Sequence, residues 1–228
     1  INETQYNAVG QVVSSREGTT TSTYTFDERN RLTSKTDPDG LSIQYVYDVA
    51  SNLTSTTSIA GATVYSYDSV DRLQSVTAGS EVTRYVYDAA GRQTEIQYSN
   101  GTVERREYDS NSRVTRQTLT GTSGTFDDTR TAYDRVGRKT SLVEATGRKE
   151  SFEYDLAGRL ILNTVDELSG PDRNMTWQYD AVGNRLRRDD SISGVTTYEY
   201  DNRDRLLTET NALTTRYLYD ANGNILSQ

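Results

Sequence analysis

Apolar and polar residues alternate along this chain in short runs, and each run closes on an aromatic followed by an aspartate. The stretch Ile43-Gln44-Tyr45-Val46-Tyr47-Asp48 shows the pattern. Side chains at i and i+2 share one face of a strand, so two aromatics or apolars separated by one residue mark a strand face. Such pairs recur as Tyr24/Phe26, Tyr45/Tyr47, Tyr65/Tyr67, Tyr85/Tyr87, Phe152/Tyr154, Trp177/Tyr179, Tyr198/Tyr200 and Tyr217/Tyr219. The surrounding residues are rich in Thr, Val and Tyr, which suit a pleated, half-buried surface. No stretch carries apolar residues at helical spacing. The pattern predicts strands throughout.

The residues after each aromatic are repeated as well. The sharpest copies are Tyr87-Asp88-Ala89-Ala90-Gly91-Arg92, Tyr133-Asp134-Arg135-Val136-Gly137-Arg138 and Tyr154-Asp155-Leu156-Ala157-Gly158-Arg159. Looser copies begin at Tyr6, Phe26, Tyr47-Asp48, Tyr67-Asp68, Tyr108, Tyr179-Asp180, Tyr200 and Tyr219-Asp220, at intervals of 19 to 25 residues. Periodicity of this kind signals a repeat architecture. The aspartate at the head of each motif can bond the backbone two residues on and cap a bend. The position three residues after it calls for φ > 0. Gly10, Gly91, Gly137, Gly158, Gly183 and Gly223 stand there, with Asn30, Asp71 and Asp204 as the next most tolerant types. Ser51 and Ser112 depart from this rule, which predicts a distorted turn at those two copies. Returning strands begin at Arg31-Leu32, Asn52-Leu53, Arg72-Leu73, Arg159-Leu160 and Arg205-Leu206, so each unit is a hairpin.

A second set of turn signals lies about midway between motif copies, including Asp37-Pro38-Asp39-Gly40, Ala60-Gly61, Ala78-Gly79 and Asn100-Gly101. Each period of roughly 20 residues then holds two strands and two turns. The predicted fold is all-β, an antiparallel meander of about 20 short strands formed by one continuous array over residues 1–228. A sheet that long cannot stay flat, because strand twist accumulates; it must coil, close into a barrel or wind as a strip. Two intervals are stretched by insertions, Gly121-Thr122-Ser123-Gly124-Thr125-Phe126-Asp127-Asp128 and Asp166-Glu167-Leu168-Ser169-Gly170-Pro171-Asp172, which map to loops.

Composition narrows the function classes. The 17 Tyr, regularly spaced, and only 2 Pro oppose disorder. A net charge of −8 argues against nucleic acid or an anionic membrane as partner. No apolar run approaches the roughly 18 residues of a membrane helix, and no secretory leader opens the chain. The chain begins and stops in mid-repeat, which is expected of a piece of a longer protein. With no Cys and no His, disulfide frameworks, ordinary zinc sites and Ser-His or Cys-His nucleophile systems are excluded. No cofactor is expected.

The Tyr-Asp-x-x-Gly-Arg-Leu pattern, repeated from Tyr6 to Gly223, resembles the YD-repeat or RHS-repeat family. That resemblance implies a β-sheet wound into a hollow shell or barrel, as in RHS and wall-associated toxins, insecticidal toxin complexes and teneurins. It implies a secreted or cell-surface location and, as partner, the remainder of a longer chain with an enclosed carboxy-terminal payload. The core-associated segment with an autoproteolytic aspartate that comes after the repeats in toxin members has no counterpart here. The favoured reading is a structural module without catalysis. A carbohydrate-binding adhesive module and a subunit of an extracellular fibre are the alternatives, with other copies of the chain or surface glycans as partners.

Within the motifs, Asp88 with Arg92 and Asp155 with Arg159 span one turn and suit ion pairs. The pairing recurs too often for an active site. The adjacent carboxylates Asp127-Asp128 and Asp189-Asp190 point to opposite faces of a strand and make poor dyads. The Asp37-Pro38-Asp39-Gly40 run lacks the further ligands of a calcium loop. The aromatics upstream of the motif, Tyr45, Tyr65, Tyr85, Trp177, Tyr198 and Tyr217, are the candidates for facing a glycan, weighed against a plain cross-strand aromatic ladder. Asn2, Asn52 and Asn174 open Asn-x-Thr sequons of the kind Thr-rich chains produce by chance.

Overall fold

The computed structural model describes residues 2–227 and holds 23 strands and no helix among them. The alternation in sequence becomes alternation in exposure. In Ser42–Tyr47, Ile43, Tyr45 and Tyr47 are half-buried while Ser42, Gln44 and Val46 are exposed, and Arg173–Tyr179 repeats this with Met175, Trp177 and Tyr179 on the covered side.

The chain divides into two compact units, one of Ile1–Arg106 with Leu119–Gly124 and one of Glu107–Thr118 with Thr125–Gln228. In the first, each strand pairs antiparallel with the next, from Asn2–Tyr6 to Val103–Tyr108. In the second, the same holds from Gly124–Tyr133 to Thr214–Arg216, and Leu218–Tyr219 pairs with Ile225–Ser227 as a separate ladder. The all-β antiparallel meander expected from the sequence is the fold of each unit.

The motif hairpins carry a β-bulge at the mouth. Val46 pairs with Ser55 but Tyr47 pairs with Leu53, so Thr54 is left over on the returning strand, and its hydroxyl donates to Val46 O at 3.1 Å. Thr94 and Thr115 make the same bond to Val86 O and Glu107 O. Such bulges bend the strand and increase its right-handed twist. The hairpins at the opposite ends are of two kinds. Asp37–Leu41, Tyr98–Thr102 and Glu144–Arg148 close with the hydrogen bonds of the motif turn itself. Ser58 with Gly61 and Ala78 with Glu81 instead enclose two-residue turns.

The described residues form no closed apolar core. Among the described residues Val165 is the buried hydrophobic side chain, accompanied by buried Asn163, Asp190 and Thr196. The apolar area withdrawn from water lies on the half-buried tyrosine face. The turn tips stay wet, as Val49 and Leu156 show. No helix among the described residues is long and apolar enough to cross a membrane.

The two serine copies correct an expectation. Ser51 and Ser112 adopt φ of +77° and +61°, and their turns close with the same bonds as the glycine copies: Ser51 N to Asp48 O at 3.2 Å and Ser112 N to Asp109 O at 3.1 Å. The ladder and the capping carboxylate hold the serine in the left-handed region at a local cost, rather than the serine distorting the turn. Replacing Ser51 by Gly should raise stability by about 0.5–1 kcal/mol in denaturant titration, since the strain is relieved. Gly158 has φ +85°, and a Cβ added there would meet only Arg138 Nη1, at 3.5 Å. Gly158→Val should therefore cost about 1–3 kcal/mol in the same titration through backbone strain and not through a clash.

Candidate functional site: a latch between successive repeats

The motif turn is built around one carboxylate. Asp88 N donates to Arg92 O at 2.9 Å and Gly91 N donates to Asp88 O at 3.0 Å. The Asp88 Oδ1 atom accepts the backbone N–H groups of Ala90 and Arg92 at 2.9 and 3.0 Å, and Oδ2 accepts Arg92 Nε at 2.7 Å. Asp68, Asp134 and Asp155 are engaged in the same way by Arg72, Arg138 and Arg159. In Asp48, Asp180 and Asp220 an asparagine amide replaces the guanidinium. These contacts hold the carboxylates below their ordinary range. For Asp155 the Arg159 backbone N–H is the largest cause, opposed by desolvation and reinforced by the Arg159 guanidinium.

The arginine held in this way reaches into the next repeat. Arg31 lies over the Tyr47 ring, Arg72 over Tyr87, Arg113 over Tyr133, Arg138 over Tyr154, Arg159 over Tyr179 and Arg205 over Tyr219, with guanidinium carbons 4.7–4.9 Å from the ring centroids. The Nη1 atom of each donates to the backbone oxygen of the next motif aspartate, as from Arg72 to Asp88 O at 3.2 Å and from Arg159 to Asp180 O at 2.8 Å. The tyrosine answers in the opposite direction. Its hydroxyl donates to the carbonyl just after the arginine, as from Tyr87 to Leu73 O, Tyr133 to Val114 O, Tyr179 to Leu160 O and Tyr219 to Leu206 O at 2.8–3.0 Å. The joints at Tyr87, Tyr133, Tyr179 and Tyr219 are therefore closed in both directions by one stacked cation and two hydrogen bonds.

Joints without the arginine are built differently. Gln11 donates from Nε2 to Asn30 O, at the left-handed position one repeat on, at 3.0 Å. Asn52 and Asn184 stand where the arginine would, and each donates from Nδ2 to the side chain of the left-handed aspartate one repeat on, Asp71 or Asp204, at 2.8 Å. Tyr67 still donates to Leu53 O at 2.9 Å. The sequence pairs an intramotif Asp with its Arg but gives the arginine no role beyond its own turn. The signal that reveals the longer reach is the coincidence of Asn at positions 52 and 184 with Asp at 71 and 204. With Asn52 Nδ2 shared between Asp48 and Asp71, that sequon's amide is fully engaged.

The upstream aromatics share the face of the motif tyrosines but do not stack on one another. Tyr45 opposes Thr56, Tyr65 opposes Val76, Tyr85 opposes Ile96, Trp177 opposes Arg188 and Tyr198 opposes Glu209. Tyr217 is half-buried beside Thr215. A returning strand separates consecutive aromatics, so the ladder of touching rings weighed from the sequence is replaced by a staircase of single rings. The paired carboxylates part company as expected: Asp127 accepts the Thr129 hydroxyl, while Asp128 binds Arg116 and Arg130 and is lowered to about 2, first by the Arg116 hydrogen bond. Asp189 pairs with Arg187. Asp190 is buried and is held by Arg173, the Ser193 hydroxyl and two backbone N–H groups. Among the described residues no group of three or more Asp and Glu is arranged to hold a metal ion.

Within each unit the fold and joint define a tandem array of β-hairpins in which successive repeats are fastened to one another. A family model described as RHS Repeat matches residues 6–41, 26–63, 67–103 and 179–216, together more than half of the chain, so this chain belongs to the RHS-repeat family. Its fold resembles the crystal structure of TcdB2-TccC3-TEV, with TM-score 0.63 and 16% identity over 98% of this chain and 16% of that one. It resembles the Tc holotoxin pore of Photorhabdus luminescens at TM-score 0.65 and 15% identity, over 95% of this chain and 14% of that one. For TcdB2-TccC3 without its hypervariable C-terminal region the TM-score is 0.64 at 16% identity, over 98% and 15%. This chain thus spans about one-sixth of the length of those chains. No curated protein matches it by sequence.

The latch makes two measurable claims. In a double-mutant cycle, Arg138→Ala and Tyr154→Leu should show a coupling energy of about 1 kcal/mol in urea unfolding, the size of a partly covered cation–π contact. Additive effects would mean that the stacking is incidental. Because the motif aspartates are lowered on folding, their stabilisation is fully present above the unfolded carboxylate value of about 3.9 and is lost as pH falls through the folded values. The thermal midpoint should therefore stay level from neutral pH to about 5 and drop below about pH 4, and Asp155→Asn should shallow that drop.

Proposed function

We propose that this chain is a structural segment, without catalysis, of a secreted or cell-surface RHS-repeat protein, forming part of a continuous β-shell that encloses or presents another part of the same longer chain. The observation that carries this reading is the latch. Its parts recur at joint after joint with the same geometry, so the residues that dominate the sequence serve continuity of the sheet rather than one locus of chemistry. An enzyme concentrates perturbed groups at one place, whereas here the lowered carboxylates are distributed along the array.

Membership of the RHS-repeat family and the likeness in fold to Tc toxin chains support the shell reading. Repeat arrays are stabilised by nearest-neighbour interfaces and suit extended walls. The absence of cysteine fits this construction: joints rather than disulfides hold the wall. Electron imaging of the intact protein that contains this segment tests the proposal. A closed body with a lumen, and this segment in its wall, is the expected result. An open ribbon or a stack of repeats running end to end would overturn it in favour of a fibre.

A further inference from the structure

The strand Glu81–Tyr87 places Tyr85 and Tyr87 on the half-buried face of the first unit and Arg84 and Val86 on the exposed one. Register sets Arg84 in the row Ser66, Ser75, Arg84, Gln97, Val103, in which each residue is the direct cross-strand partner of the one before it. A concavity of about 410 Å³ lies over the stretch of this row from Ser66 to Gln97, a size that small-molecule sites occupy. Gln74, Tyr85 and Val86 complete its border. Gln74 is the extra residue of a β-bulge, since Ser66 pairs with Ser75 but Tyr67 pairs with Leu73. The bulge thus brings a further polar residue to the rim.

Arg84 is the one charged residue in that border, and among the described residues it has neither an ion pair nor a hydrogen bond. The neighbouring carboxylates are occupied. Glu95, the cross-strand partner of Val86, accepts Arg105 Nε at 2.7 Å on one oxygen and the Gln97 amide on the other. Asp68 and Asp88 in the adjoining turns are held by Arg72 and Arg92. The Ser66 and Ser75 hydroxyls share one hydrogen bond at 2.7 Å, which uses one of their two protons and leaves the other to donate. Gln97 keeps its second amide N–H. A free cation and two further donors thus meet in one hollow, on a chain whose net charge is −8.

We propose that this hollow binds an organic carboxylate whose charged group adjoins an apolar one. The planar carboxylate takes two parallel N–H groups of the Arg84 guanidinium, and the serine pair and Gln97 donate to its remaining lone pairs. One positive charge balances one negative charge. A dianionic phosphate keeps an uncompensated charge beside an acidic chain. The apolar group covers exposed Val86 and the adjoining row Val64, Thr77, Val82, which carries no charge. A bare inorganic anion leaves those side chains wet. The site is independent of the shell reading, because a shell wall and a fibre accommodate it equally.

NMR titration of the arginine Nε–H signals on the full chain tests the proposal. The probes are 3-phenylpropanoate and acetyl-glycyl-phenylalanine with a free carboxylate, and the controls are the amides of both, inorganic phosphate and sulfate. The expected result is a saturable shift of the Arg84 signal with at least one carboxylate probe at millimolar concentration and none with its amide. The tighter of the two probes tells a free organic acid from a peptide carboxy terminus. Arg84→Ala should weaken binding about tenfold. Arg84→Lys, which keeps the charge and loses the fork, should weaken it about threefold. Arg135→Ala, an exposed arginine in the second unit, should leave it unchanged. Circular dichroism of each variant separates loss of binding from loss of fold. No carboxylate probe bound at millimolar concentration, phosphate or sulfate bound as tightly as the probes, or binding indifferent to both Arg84 substitutions would each overturn it.

Discussion

A guanidinium is fixed by the carboxylate four residues before it and laid over the tyrosine of the following repeat, and this contact joins local order to long-range order in the chain. The aspartate shapes the turn through Oδ1 and aims the arginine through Oδ2. The aimed arginine then covers a ring and a carbonyl in the next hairpin. Each contribution is small alone, about 0.5–1 kcal/mol for a cation over a ring and about 1 kcal/mol for a net hydrogen bond. They matter because Val165 is nearly alone as a buried apolar side chain, so the usual dominant source of stability is thin. A fold of this kind rests on many equal joints rather than one centre.

The turn and the joint also constrain each other. The bulge at the hairpin mouth adds twist where the tyrosine leaves the ladder, and from that place Tyr67 donates its hydroxyl to Leu53 O of the preceding hairpin. Where the arginine gives way to Asn52 or Asn184, the glycine position of the next turn becomes Asp71 or Asp204. One residue choice in a repeat thus fixes a choice about twenty residues away. This is how identical backbone geometry persists through a sequence whose copies differ.

The strands and the motif turns were legible in the sequence because both depend on short-range rules. Period-2 alternation gives Ser42–Tyr47 its half-buried face, and the residues that tolerate φ > 0 sit where the chain must turn. Ser51 and Ser112 misled because residue preference was weighed without the ladder that enforces the conformation. The ion pair of Asp88 with Arg92 was legible from spacing alone. The reach of Arg72 to Tyr87 was not, because it depends on which returning strand lies between two repeats and how far the bulge rotates it. The aromatic staircase was hidden for a related reason: register sets Tyr45 against Thr56 and Tyr65 against Val76, and spacing within one strand does not fix register between two.

The reciprocal joint has a consequence for how such a chain can change in evolution. At the arginine joints, arginine leaves one hairpin and tyrosine receives it on the next, so those repeats present the same plug and the same socket. A duplicated repeat inherits both halves and fits without further substitution, and a lost one lets its neighbours meet through the same contacts. The two asparagine joints are exceptions, since Asn52 needs Asp71 and Asn184 needs Asp204 one repeat further on. Recombination should therefore lengthen or shorten the array freely at arginine joints and conserve the asparagine joints as indivisible pairs, making array length a variable that selection can tune apart from sequence.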